Sequence, residues 1–556
     1  MHLFCFTVSC NAMKWSRSIP ALLAAIAALS FFSCGSKKKE GKMIFRYNQI
    51  SGMETLDPAF AKSLAIMWGT HFIYNTLLEV DSGLRLVPSL AGSWEASPDG
   101  LAYTFHLRSD VFFQDNDAFP GGKGRRMTAA DVVYSFNRLI DPATASAGAW
   151  IFNGRVREKN PFEAINDSTV VIYLKTPFRP LPQILTMQYC SIVPQEVVRK
   201  WDKDFRNHPC GTGPFQFKYW DEGNMLVLHR NPHYWEKDEQ GKALPYLDAV
   251  QVSFNDTRAM EFLLFNQKKI DFINGIDGSM KDMILTRKGT LRPEYEHKLH
   301  LEKQRYLYTE YLGFVVDSTN PLVKNNPVKL RKIRQAINYA IDRRKIVTYF
   351  RNGVGVPATA GFIPLGMPGT GSEGIKGYDY DPVKALRLLE EAGFPNGKDL
   401  PLITLTAPDV YVDICNFVAS QLNEIGIKTQ VQVMLMGLLR QMMTRSQLPF
   451  FKAGWVADYP DAETFLACFY SELPAPPNYS RYGNKTFDQW YRQSLEAASD
   501  TVRFDLYRKM DSLVSSEAPV VPLYYDEMLH FTQNNISGLQ SNALNIIDLR
   551  RVRKTN

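Results

Sequence analysis

The sequence predicts an α/β protein arranged as two or three lobes with mixed sheets. Strand-like and helix-like segments interleave along its whole length, the pattern of packed α/β layers. The 556-residue chain is too long for one hydrophobic core. No internal repeat or low-complexity linker cuts it into separate beads. Hydrophobic content of 45% with 22% charged residues is that of an ordinary soluble globular protein.

The elements follow in order. Met43–Tyr47 reads as a strand, Leu64–Leu78 has helical apolar spacing, and Tyr103–Leu107 alternates as a half-buried strand should. Thr128 is a good N-cap for a helix running to Leu139, with Asp131 at N3 completing a near capping box. Val170–Leu174 is a strand stopped by Pro177. Over Lys329–Phe350, Leu330, Ile333, Ile337, Ala340, Ile341 and Val347 recur every three or four residues, which predicts one long helix. Its Arg331, Lys332, Arg334, Arg343 and Arg344 are expected on a solvated face. Pro382–Ala392 is a further helix, with Asp381 as N-cap, Pro382 at N1 and Gly393 at C′. Gly211 and Gly213, ahead of Pro214, are expected to use positive φ in a tight turn.

The N-terminus carries a targeting signal. Lys14 and Arg17 precede an apolar stretch from Ile19 to Phe32, long enough for a signal h-region and short of a bilayer span. It ends in Ser33-Cys34-Gly35-Ser36 and a lysine-rich tether, which resembles a bacterial lipobox with Cys34 as the lipidated first residue of the mature chain. Residues 1–33 are then a signal peptide, with Met1 or Met13 as the start, and 34–42 a tether. The predicted location is extracytoplasmic, periplasmic or cell-envelope, held to a membrane through Cys34. The net charge of +7 falls to +5 without the leader's two basic residues, too mild to point to an anionic partner. Nucleic acid is excluded as a partner, since beyond the tether no dense basic run exists. Of seven cysteines, Cys190, Cys210, Cys415 and Cys468 follow Cys34. An exported chain permits disulfides, and Cys190 with Cys210 is the nearest candidate pair in sequence. No C-x-x-C spacing supports a zinc or redox site.

Several stretches resemble the ABC-transporter solute-binding proteins of family 5, the peptide- and nickel-binding group. They are Asn75-Thr76-Leu77-Leu78 with Pro88-Ser89-Leu90-Ala91 and Trp94; Thr104–Arg108 followed by Thr128–Ser135; Gly211–Phe215; Asn231–Trp235; Ile333–Arg343; Tyr380–Ala385; and Ala518–Tyr524. Their order holds across most of the chain. The resemblance implies a two-lobe periplasmic-binding-protein clamp with a third, inserted domain. By that analogy lobe I takes 43–78, 190–300 and 515–556, the inserted domain 79–189, and lobe II 301–514. It also implies a monomer that captures a peptide-like ligand for the permease subunits of an ABC importer, with no cofactor. The Cys190–Cys210 bridge would then lie within lobe I.

For the site, the informative stretch is Lys452-Ala453-Gly454-Trp455-Val456-Ala457-Asp458-Tyr459-Pro460-Asp461. Oligopeptide-binding members carry a similar Gly-Trp-x-Ala-Asp-Tyr segment whose Asp pairs with the peptide ammonium. The resemblance puts that role on Asp458 and makes Trp455 a cleft wall. A carboxylate in a closing cleft offers charge-assisted hydrogen bonds of about 1.5–3 kcal/mol each, indifferent to side-chain identity. Lys452 and Arg445 are the candidate cations for the ligand carboxylate. Leu438 stands where some oligopeptide binders have an aromatic residue, which leaves ligand length open. Asp461 is expected as a turn residue after Pro460.

Enzyme chemistry finds no catalytic residues. Gly369-Thr370-Gly371-Ser372-Glu373-Gly374 spells a dinucleotide pattern but follows prolines, not a strand. His229 and His233 are separated by Pro232, and His297 and His300 lack a third metal ligand. No G-x-S-x-G, H-E-x-x-H or P-loop is present. The open alternatives are a non-peptide solute (nickel complex, oligosaccharide or opine) on the same fold, or a secreted hydrolase using Asp458 and Asp461.

Overall fold

A computed structural model describes residues 42–368 and 375–555. The signal segment 1–33, Cys34, the tether through residue 41 and the Gly369–Gly374 loop lie outside the described residues. The expected α/β pattern with mixed sheets is present. Its spine is an 11-stranded sheet that crosses from one half of the protein to the other. In its middle run two long antiparallel strands, Leu299–Phe314 and Val520–Gln533. On one flank stand Phe272–Asn274, Ile44–Asn48, Ala249–Ser253, Met225–Arg230 and Phe215–Asp221. On the other stand Phe450–Val456, Ile403–Ala407 and Thr429–Val433. Ile44–Asn48 pairs parallel with Ala249–Ser253, while Ala249–Ser253 pairs antiparallel with Met225–Arg230, so the sheet is mixed.

Alternation fixes which core each strand serves. Phe450 stacks on Phe314, ring centroids 4.6 Å apart, in a core shared with Ile333, Ile337 and Leu405. Phe451, one residue on, faces the opposite core with Tyr311, Phe362 and Phe469. A period of two therefore buries this strand on both sides. Segment 79–189 owns a separate four-stranded sheet, Ala91–Ala96, Ala102–Leu107, Thr169–Tyr173 and Phe162–Asn166. Its apolar side chains nevertheless join one core with Phe45, Trp68 and Leu226.

Helix Ala129–Ile140 begins with the full capping box at Thr128 and Asp131. Helix Pro382–Glu391 has Asp381 accepting from the Lys384 amide. Helix Leu64–Ile73 stops short of the expected Leu78, because the Ile73 carbonyl is taken by the Gly213 amide at 2.8 Å and Gln114 Nε2 at 3.2 Å. This contact also corrects the expectation for the glycines. Gly211 and Gly213 do not adopt positive φ. Instead, a Cβ on Gly211 would stand 2.3 Å from the Ile73 carbonyl oxygen, and one on Gly213 2.6 Å from it. Close backbone approach, not turn conformation, requires glycine here.

Three further expectations need correction. The long helix is broken into Arg331–Tyr339 and a turn from Arg343, because Asp342 caps the second piece by accepting from the Lys345 amide. Its basic run is not wholly solvated: Arg334 and Arg343 are buried. Arg334 donates to the carbonyls of Ala518, Val328, Lys329 and Glu517, and Arg343 to those of Pro522, Asn338 and Ile341. Burial pulls both guanidinium pKa values down to about 10. The Cys190–Cys210 disulfide is not formed. Both are buried free thiols, with Cys190 Sγ 3.9 Å from the Ile184 carbonyl and Cys210 Sγ 3.4 Å from that of Gln114. Each sits in the first core as a small apolar side chain with a local acceptor, and burial pushes both thiol pKa values up.

Candidate functional site

The strand Phe450–Val456 lies antiparallel to Leu299–Phe314, with Trp455 opposite Thr309 and Lys452 opposite Leu312. Chain and sheet part company at Ala457, whose amide still bonds the Leu307 carbonyl at 2.8 Å. The next residue, Asp458, is delivered to a cavity of about 570 Å³. Val456, Ala457 and Asp458 line one side; helix Leu64–Ile73, the Met187-Gln188 corner and the C-terminal segment around Asp548 and Arg550 line others. A groove of about 660 Å³ beside helix Ala129–Ile140 shares none of these residues, and its charges pair among themselves, Arg157 with Glu163 at 3.4 Å and Lys175 with Glu158 at 3.1 Å.

Asp458 keeps its side chain in contact with the cavity. Thr464 Oγ1 donates to its Oδ2 at 3.0 Å, and among the described residues no cation pairs with it. Asp458 is exposed to solvent through the cavity, while protein crowds the rest of its carboxylate. That burial, with the nearby Glu463 carboxylate, pushes its pKa up to about 6 against the opposing Thr464 hydrogen bond. A carboxylate ionised at neutral pH without a counterion is a site for a ligand cation.

The other residues expected at the site lie elsewhere. Lys452 is 3% exposed and forms a buried ion pair with Glu310, itself 0% exposed. Lys452 also donates to the Ala453 carbonyl at 2.8 Å and sits 3.9 Å from the Tyr411 ring centre. Glu310 in turn accepts from Tyr411 at 2.9 Å and from Tyr308. With this ring of partners Lys452 has no charge to offer a ligand. Arg445 is exposed at the C-terminal end of helix Met436–Thr444, outside the cavity lining and without an ion pair among the described residues. Trp455 packs against the core of Phe451 and Phe465, with its indole nitrogen buried and unbonded, and the cavity wall is Val456 instead. Asp461 is buried, bound by Arg503 at 2.5 Å and by the Tyr507 hydroxyl at 2.8 Å. Its role is to hold the turn onto helix Asp500–Glu517.

Facing Asp458's cavity is a cluster that sequence reasoning missed. Arg550 is shared by Glu79 at 3.1 Å, Glu236 at 2.7 Å and Asp548 at 2.7 Å. Burial opposes ionisation of Glu79 and Asp548, but Arg550, joined at Glu79 by His71 and the Ser89 hydroxyl, holds both below the usual carboxylate range. Glu236 differs: burial and the neighbouring Glu79 and Asp548 carboxylates leave its pKa raised despite Arg550. His71, also on the lining, is pulled down chiefly by burial, with Gln188 Nε2 3.3 Å from its Nδ1. The only sequence signal for this wall is the charge run Asp548-Leu549-Arg550-Arg551, which names no partner three hundred residues away.

Residues 85–476 match the model of the bacterial extracellular solute-binding proteins, family 5, middle region. The chain belongs to that family. The glutathione-binding protein GsiB of Escherichia coli strain K12 is 27% identical over 500 residues, covering 88% of this chain and 90% of that one. The periplasmic binding protein DppA of Helicobacter pylori, solved with the peptide STSA, is 25% identical with a TM-score of 0.72, over 91% of this chain and 96% of that one. NikZ of Campylobacter jejuni, solved with Ni(L-His), is similar in fold alone: 21% identical, TM-score 0.70, over 90% of this chain and 96% of that one. The fold is therefore the two-lobe periplasmic-binding-protein clamp, and the protein is an extracytoplasmic solute-binding component of ABC transport and not an enzyme.

Proposed function

We propose that the protein captures a di- or oligopeptide in the cavity at Asp458 and delivers it to the permease subunits of an ABC importer. The observation that carries this reading is the Asp458 carboxylate: cavity-facing, unpaired with any cation among the described residues, and raised in pKa only to about 6, so ionised at neutral pH. A peptide's ammonium supplies the missing counterion, and its backbone offers further hydrogen bonds that do not depend on side-chain identity. The peptide bound by the DppA relative and the glutathione named for GsiB support the ligand class. The cavity volume suits a short ligand, within the usual range for small-molecule sites. The Cys34 lipobox supports anchoring to the cell envelope by a lipid, so that the protein works as a membrane-tethered monomer.

Mass spectrometry of whatever is released on denaturing natively purified protein tests the ligand class. Recovery of intact peptides with free amino termini is expected. Recovery of a nickel complex, an oligosaccharide or an opine would replace the peptide reading. Cys34→Ser is expected to move the protein from the detergent phase to the aqueous phase, and unchanged partitioning would remove the anchor.

A further inference from the structure

The charge on the cavity wall narrows the ligand beyond its being a peptide. Six carboxylates and three cations line the cavity, and the three cations are all engaged. Arg551 pairs with Glu239 at 3.3 Å and Lys62 with Glu54 at 3.1 Å. Arg550 divides one positive charge among three carboxylates, leaving an excess of two negative charges in a wall whose side chains are 13–22% exposed. Asp458 adds a third uncompensated charge from the other side. Lys452 and Arg445, the other candidate cations, are spent on Glu310 and placed outside the lining, respectively. Within the Arg550 cluster Glu236 is the carboxylate whose pKa stays raised, and among the described residues the Gln188 carbonyl Oε1, on a side chain only 7% exposed, has no hydrogen-bond donor.

A half-buried wall with excess negative charge and an idle acceptor at Gln188 discriminates by charge. A ligand cation entering it gains from every carboxylate that Arg550 does not neutralise. A ligand anion loses its hydration and meets, inside the wall, only Arg550, already shared by three carboxylates, while Lys62 and Arg551 lie in exposed surface pairs. We propose that this cleft selects short peptides carrying a lysine or arginine side chain in addition to their ammonium group, with the side chain directed to the Glu79–Glu236–Asp548 wall, and rejects net-anionic peptides such as glutathione. This rests on the reading that the Asp458 cavity is the ligand site. It separates the chain from relatives named for glutathione.

The test is calorimetric titration of the full protein, stripped of bound ligand, with Ala-Lys-Ala, Ala-Ala-Ala, Ala-Glu-Ala and reduced glutathione. Affinity is expected to fall by about tenfold or more per unit of side-chain charge lost, in the order lysine, alanine, glutamate. Glu236→Gln, an isosteric change, should narrow the lysine-to-glutamate ratio by about threefold or more, and raising salt on the wild type should narrow it too. Glutathione or Ala-Glu-Ala binding as tightly as Ala-Lys-Ala, or no binding of Ala-Lys-Ala at all, would overturn the proposal. N-acetyl-Ala-Lys-Ala separates the two levels. If acetylation costs nothing while the charge order persists, the Asp458 assignment fails and the cationic selection stands.

Discussion

The buried Glu310–Lys452 pair permits a sharp perturbation. Lys452→Met keeps most of the side-chain volume and removes the ammonium from a carboxylate that is 0% exposed. Tyr411 and Tyr308 would still donate to Glu310, but two neutral hydroxyls do not replace a countercharge. Breaking one partner of such a pair costs about 3–5 kcal/mol. An unfolding entropy of about 2.1 cal/mol/K per residue, over roughly 500 residues, makes each kcal/mol worth about 1 °C. The expected loss is therefore about 3–5 °C in Tm, read by scanning calorimetry on ligand-free protein. Lys452→Met with Glu310→Gln should recover most of it, since the stranded charge is gone and the tyrosines keep an acceptor. Peptide affinity in both variants should change by less than about threefold, well under 1.4 kcal/mol. An unchanged Tm together with a tenfold or greater loss of affinity would refute the argument and return Lys452 to the ligand site.

Three further outcomes are expected. The folded pKa of Asp458, about 6, lies above the ordinary 3.8, so the folded state holds this proton longer than the unfolded chain. Stability of the ligand-free protein should accordingly decline from this group as pH rises from about 4 to 6; Asp458→Asn should raise Tm at pH 7 and give no gain at pH 4, and an equal shift at both would exclude titration as the cause. Peptide affinity should fall as pH drops below about 6. Thiol titration of the denatured, unreduced mature domain should count Cys190, Cys210, Cys415 and Cys468 as free, and a count two lower would restore a disulfide.

Local physics was legible in the sequence and long-range partnership was not. The capping box at Thr128 and Asp131, the Asp381 cap and the strands at Ile44–Asn48 and Thr169–Tyr173 depend on neighbours within a few residues. The motif pointed to Asp458, and the fold puts that residue on the cavity lining. Lys452 was misplaced because strand alternation gives a side chain's face but not its partner: Glu310 is 142 positions away and meets it only through strand pairing. The Arg334 and Arg343 side chains fit a solvated face by periodicity, yet the carbonyls they satisfy include distant ones, Glu517 and Ala518 just before Val520–Gln533 and Pro522 within it. The Arg550 cluster joins residues 79, 236 and 548, and only the folded chain assembles it.

The central claim is that Asp458 holds the ligand's ammonium, and a four-way calorimetric cycle tests it most directly. Wild type and Asp458→Ala are each titrated with one tripeptide, Ala-Lys-Ala, in free and N-acetylated form. Truncating one partner of a desolvated charge pair costs about 2–5 kcal/mol, so the substitution should weaken binding of the free peptide by roughly thirty-fold to several thousand-fold. Acetylation should cost the wild type a similar amount and the variant far less, because the contact is already gone. Losses that simply add, with acetylation as damaging to the variant as to the wild type, would show that the ammonium is held somewhere else.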